Sequence, residues 1–155
     1  MSHQGPRMAS ADVYRLVPDA PPAIRALGAA AEQAGLDRGL LELVKLRASQ
    51  INGCAFCVQY HIDLALELGV PRPKLDLVAV WREAGIFDER EMAALAWAET
   101  LTLLAETHAP DAEYDAVRAV FDDRELAALT VAIATINVWN RISVAYRFPP
   151  PLAGS

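Results

Sequence analysis

Two cysteines are all that this 155-residue chain contains, and they lie three positions apart. So small a supply excludes a scaffold stapled by disulfides. A lone close pair in a reducing compartment points instead to redox chemistry or to a metal. Basic residues are also in deficit: 14 Lys and Arg stand against 20 Asp and Glu, a net charge of −6. Without a basic stripe to displace counterions, nucleic acid is excluded as an expected partner, and so is an anionic membrane surface. No stretch reaches the roughly 18 apolar residues of a spanning helix. Met1 to Ser10 lacks the apolar run of an export signal. The expected location is therefore cytoplasmic, with no membrane partner. Alternating β-branched runs are absent too, apart from a short rival at Leu129 to Val138, and neither an internal repeat nor a domain linker is visible.

What the chain does have is apolar residues, 54% of the total, enough for an ordinary core in one domain. Ala, Leu and Glu dominate, and the fold class expected is all-α. Residues 1–10 read as a flexible tail and 11–150 as a single helical domain. Pro18, Pro21 and Pro22 open a helix to about Gln33. Asp37 caps the next, which runs to about Ile51, and Asn52-Gly53 stops it. A third helix runs from Cys54 to Leu68, and a short one covers Lys74 to Trp81. Asp88 with Glu91 and Asp122 with Glu125 have capping-box spacing. The first pair opens a helix expected to reach Glu106, with a short helix over 111–121 after it. The second opens one expected to reach about Val138, with Trp139 to Phe148 helical or extended.

The segment Glu42 to His61, ELVKLRASQINGCAFCVQYH, carries the chemistry. It holds Cys54-x-x-Cys57 and then His61 four residues later. At about 100° per residue, Cys57 falls near 300° and His61 near 340° from Cys54. That is the side of the apolar stripe formed by Val58, Ile62, Leu64, Ala65 and Leu68. Both thiols and the imidazole are thus expected to face inward. A helix start favours a thiolate at Cys54 through its free N–H groups and dipole. One turn of separation lets the pair close a disulfide, so it suits two-electron exchange.

Glu42 rests on a different argument. If the helices on either side of Asn52-Gly53 fold back as a hairpin, Glu42 and His61 lie roughly 16 and 12 Å from the turn. A Glu–His pair across the hairpin then becomes feasible, with Glu42 orienting the imidazole. The helical pattern argues the other way. Glu42 falls opposite the stripe of Leu40, Leu41, Val44, Ala48 and Ile51, where it would be a solvated partner of Lys45.

Other readings use the same residues. Zinc could take Cys54, Cys57 and His61, with Glu42 or His108 as the fourth ligand, although a second knuckle is missing. Haem attachment is excluded, because Val58 stands where the histidine would have to be. Two buried cysteines that merely fill the core are the plain alternative. His108 is expected to serve the carbonyls at the end of the long helix. Trp81, Trp97 and Trp139 are expected in the core or an interface. Phe56 and Tyr60 fall on the outer face of the cysteine helix, where they suit a subunit contact or a pocket wall.

Glu42, eleven residues, Cys54, two residues, Cys57, three residues, His61: this pattern resembles the core motif of the alkylhydroperoxidase AhpD family, in the carboxymuconolactone decarboxylase-like superfamily. ASQINGCAFCVQYH, WREAGIFDEREMAALAWAETLT and ELAALTVAIATINVWNRISVAYR resemble further parts of that core, and together cover most of residues 12–149. The resemblance implies an all-α fold assembling into trimers or hexamers. It implies a thiol peroxidase or disulfide oxidoreductase that reduces hydroperoxides and is reset by an external dithiol, with no metal and no organic cofactor. It also implies a proton relay of Glu42, His61 and a water to Cys57, with Cys54 as the disulfide partner. One departure stands out. The best-studied members carry a His between the two cysteines, where this chain has Ala55-Phe56. Superfamily members that decarboxylate a lactone lack the cysteine pair, so its presence favours redox chemistry. Two other functions remain open: an adaptor passing reducing equivalents to another protein, and a lyase using His61 and Glu42 as acid–base groups.

Overall fold

A computed structural model describes residues 5–152. Among these residues the chain is helical, with no strand. The elements are α1 (Ser10–Leu16), α2 (Ala20–Glu32), α3 (Arg38–Ile51), α4 (Ala55–Glu67), α5 (Arg72–Leu77), a 3-10 turn (Val78–Val80), α6 (Trp81–Ala84), α7 (Glu89–Thr102), α8 (Leu104–Thr107), α9 (Asp111–Arg118) and α10 (Asp123–Tyr146).

The local signals explain most of these boundaries. Asp37 accepts a hydrogen bond from the Leu40 N–H at the start of α3. Asp88 and Asp122 each close a full capping box, with Glu91 and Glu125, at the starts of α7 and α10. The turn between α3 and α4 is a Schellman ending. The Gly53 N–H donates to the Gln50 carbonyl at 3.2 Å and the Cys54 N–H to that of Ser49 at 3.0 Å. Gly53 takes φ +66°, the left-handed conformation that glycine adopts without strain.

α3 is the central element. It packs against α4 on one side and against α7 and α10 on others. Leu40, Leu41, Val44, Trp97, Phe121, Leu129 and Ile133 build the largest core cluster. Leu43 and Leu46, from a different face of α3, join Ala65, Leu75, Trp81 and Leu95 in a second. Ala48, Cys54, Cys57 and Ile136 form a third, with Phe56 and Trp139 packed against it.

Several elements differ from the sequence expectation. The tail expected over 1–10 lies in part outside the described residues. Within it, the Arg7 N–H donates to the Tyr146 carbonyl at 3.0 Å, and Ser10 already opens α1. The expected helix over Lys74 to Trp81 is split into α5, the 3-10 turn and α6. The helix from Asp88 breaks at Leu103 (φ −95°, ψ 32°) rather than reaching Glu106. His108 ends α8 with its backbone N–H on the Leu104 carbonyl, at φ 55°, so the backbone makes the bond, not the imidazole. α10 runs on to Tyr146. By length and composition this helix is apolar enough to cross a membrane, which corrects the expectation that no such stretch exists. It is instead packed along the protein core, with Leu126, Leu129, Ile133, Ile136 and Asn140 buried.

Candidate active site

Cys54 is the N-cap of α4, and its sulfur accepts the Cys57 N–H at 3.2 Å. The same atom can therefore carry thiolate charge at a helix start when the pair is reduced. The two sulfurs are placed as a disulfide across one turn, with the Cα atoms 5.3 Å apart, ordinary spacing for such a bridge. Both cysteines are buried, 1% and 3% exposed.

His61 follows one turn after Cys57 on α4 and is 7% exposed. Its Nδ1 lies 2.6 Å from Glu42 Oε2. The four residues singled out by sequence thus fall into two bonded pairs, Glu42 with His61 and Cys54 with Cys57, and α4 with its N-cap carries three of them. Because Nδ1 faces a carboxylate, it is the nitrogen that donates, which leaves Nε2 to accept a proton.

Glu42 itself is 5% exposed, and this corrects the solvated placement suggested by the helical pattern. α3 is covered on every side, so the face opposite its main stripe meets α4 rather than water. The pairing with Lys45 is also present: Lys45 Nζ lies 2.9 Å from Oε1. Each carboxylate oxygen has its own partner. Burial pushes the Glu42 pKa up, but the hydrogen bonds and charges of His61 and Lys45 outweigh it and hold the pKa below the ordinary 4.5.

A buried polar network fixes the turn that presents Cys54. Asn140, with 0% exposure, donates to Ser49 Oγ at 3.0 Å. It also accepts from Asn52 Nδ2 at 2.9 Å. Asn52 donates to Asn137 Oδ1 as well, at 2.9 Å. Among the described residues, no group of three or more His, Cys, Asp or Glu is disposed to hold a metal ion.

Residues 18–100 match the model of the carboxymuconolactone decarboxylase family. The chain belongs to that family. It is also 33% identical over 132 residues to the Bacillus subtilis protein YdfG, an uncharacterised protein, spanning 85% of this chain and 90% of YdfG. A crystal structure from Agrobacterium tumefaciens, of a protein of unknown function named as a proposed AhpD antioxidant defence protein, superposes with a TM-score of 0.89. The two are 40% identical, over 96% of this chain and all of that one. The AhpD core of a peroxidase-related protein from Ralstonia eutropha JMP134 has a TM-score of 0.70 at 24% identity, over 89% of this chain and 75% of that one. That last likeness speaks to the fold alone. Together they identify an AhpD-like core of the carboxymuconolactone decarboxylase family.

Within this AhpD-like core, Phe56 occupies the place between the cysteines. It stacks on Tyr60, with centroids 6.0 Å apart, and meets the edge of Phe148 at 6.3 Å. Phe56 is only half-buried and Tyr60 is 45% exposed. Phe148 in turn meets Tyr14 of α1 at 6.0 Å, and Tyr14 meets Trp139 at 6.1 Å. The sequence singles out Phe56, Tyr60 and Trp139 but misses Tyr14, Phe148 and the asparagine network, since α1 shows too short a pattern and three scattered asparagines carry no spacing signal.

Proposed function

We propose that the protein is a thiol-dependent peroxidase that reduces hydroperoxides through a Cys54–Cys57 dithiol–disulfide cycle. The observation that supports this reading most is the buried Glu42–His61 pair at 2.6 Å, whose histidine lies on the helix that begins at the buried cysteine pair. His61 takes the thiol proton of Cys57 on Nε2, directly or through a water, while Glu42 holds the imidazolium that forms. The thiolate attacks one peroxide oxygen, the O–O bond breaks, and the alcohol leaves with a proton. The sulfenic acid so formed condenses with the second thiol, releasing water and closing the disulfide. An external dithiol supplies two electrons and two protons to restore the start. Cys54 can take the attacking role instead, given its place at the helix start. A homo-oligomer is part of the same reading, with Phe56 and Tyr60 as the aromatic contact.

A stopped-flow titration of the reduced protein with alkyl hydroperoxide tests the proposal. One equivalent is expected to convert one dithiol to disulfide, and Glu42→Gln is expected to slow the step about 10²-fold. Of Cys54→Ser and Cys57→Ser, the variant that still forms a sulfenic acid retains the attacking cysteine. A reduced protein that ignores peroxide yet exchanges with dithiol carriers would be an adaptor. The family's decarboxylase name motivates one further arm: full turnover of a lactone acid by the double Cys→Ser variant would replace the redox reading with a lyase.

A further inference from the structure

Glu42 is held from two sides. Oε2 meets His61 Nδ1 at 2.6 Å, and Oε1 meets Lys45 Nζ at 2.9 Å. Lys45 is one turn along the same helix, and its side chain is only 16% exposed, which is unusual for a lysine. Its backbone carbonyl accepts from Ser49 Oγ at 2.7 Å, and Ser49 is fixed by Asn140, so the segment that carries the ammonium is itself tied to α10.

We propose that Lys45 is a positioning residue of the relay: its ammonium fixes one carboxylate oxygen of Glu42, aims the other at His61, and supplies the counter-charge that leaves the resting imidazole free to take a proton. The inference rests on the Glu42–His61 relay proposed above.

The charge arithmetic supports it. Ionised Glu42 beside neutral His61 would be a buried net negative charge, and Lys45 cancels it. Once the thiol proton reaches His61, the imidazolium faces a carboxylate that already has a partner, so it is held less tightly than by an unshielded one. The proton is then free to go on to the leaving alcohol. The other groups facing this site do not supply that charge. His61 comes from α4. Glu32, at the end of α2, reaches Lys45 at 3.5 Å, but its side chain is 42% exposed. Arg47, the next cation along α3, is engaged by Glu99 of α7 and does not reach Glu42.

The test follows thiol alkylation by iodoacetamide across pH on the reduced full-length protein. Removing a nearby cation raises the proton affinity of every group around it. Lys45→Met is therefore expected to move the acid limb of the profile up by about one pH unit. Lys45→Arg, which keeps the charge, is expected to leave the limb close to its wild-type position. If Lys45→Met does not fold, Lys45→Gln serves in its place. The same substitution made in a Glu42→Gln background is expected to shift the limb much less, because the group it acts through is gone. An equal shift in both backgrounds, or a Glu42-dependent limb that Lys45→Met leaves in place, overturns the role of Lys45 alone. A wild-type limb indifferent to Glu42→Gln overturns the relay and this inference together. Peroxide takes no part in the measurement, so a failed peroxidase assay leaves it valid.

Discussion

Asn140 shows how far one buried side chain reaches. It sits on α10 with no exposure, yet its partners Ser49 and Asn52 belong to the end of α3, just before Cys54. Replacing it by leucine keeps the branched shape but takes an acceptor from Asn52 and a donor from Ser49. We expect Asn140→Leu to lower stability by about 1–3 kcal/mol, read as a shift in the urea midpoint of the oxidised protein. A change within the scatter of surface substitutions would mean that water replaces the lost bonds. The same residue explains why the end of α10 was hard to read. Asn140, Arg141 and Ser143 interrupt the apolar pattern after Val138, so the sequence suggests a helix end there. In the fold Asn140 and Ser143 are buried, and tertiary partners satisfy the asparagine. Glu42 is the opposite case. Its pairing with His61 was legible from hairpin depth and family motif, while its own helix pattern concealed its burial, because an amphipathic template does not describe a helix covered on all sides.

At the scale of elements, the capped starts were the most legible part of the chain. Asp37, Asp88 and Asp122 mark α3, α7 and α10 through hydrogen bonds made within three residues, so no tertiary knowledge is needed to find them. Helix ends without glycine were less legible, as at Leu103, where nothing local announces the break. The α3–α4 hairpin belongs to the legible class, and it positions the site. Gly53 has φ +66°, and a Cβ added there would meet no atom within 4 Å. Only the backbone conformation opposes a side chain. Gly53→Ala is therefore expected to cost about 1 kcal/mol, with Gly53→Asn milder because asparagine tolerates the left-handed region. Thermal unfolding of the two variants checks the order. If alanine is no worse than asparagine, the turn does not hold this conformation in solution.

The whole molecule stores part of its stability in carboxylates that must stay ionised. Glu99 joins three elements: it accepts from Arg47 Nε on α3 at 2.7 Å, from Trp81 Nε1 at 3.0 Å and from Arg82 at 2.6 Å, the last two on α6. Burial raises its pKa, but the bonds from Arg82, Arg47 and Trp81 outweigh it and hold the pKa below the ordinary 4.5. Glu42 is depressed in the same sense, by His61 and Lys45 against its burial. For such groups the unfolded chain binds protons first as acid is added. Their contribution is thus fully present above pH 4.5 and is lost as the pH falls through the depressed folded values. The urea midpoint of the oxidised protein should therefore change little from these groups between neutral pH and about 5, then fall steeply below 4.5. Glu99→Gln should cost about 1–3 kcal/mol at neutral pH, since it weakens the acceptor for two arginines and an indole. It should also make the acid fall shallower, because one of the responsible carboxylates is gone. A variant whose midpoint falls between pH 5 and 3.5 as steeply as the wild type's would show that Glu99 binds its proton equally in both states. The joint between α3, α6 and α7 would then be held by packing around Trp81 rather than by charge.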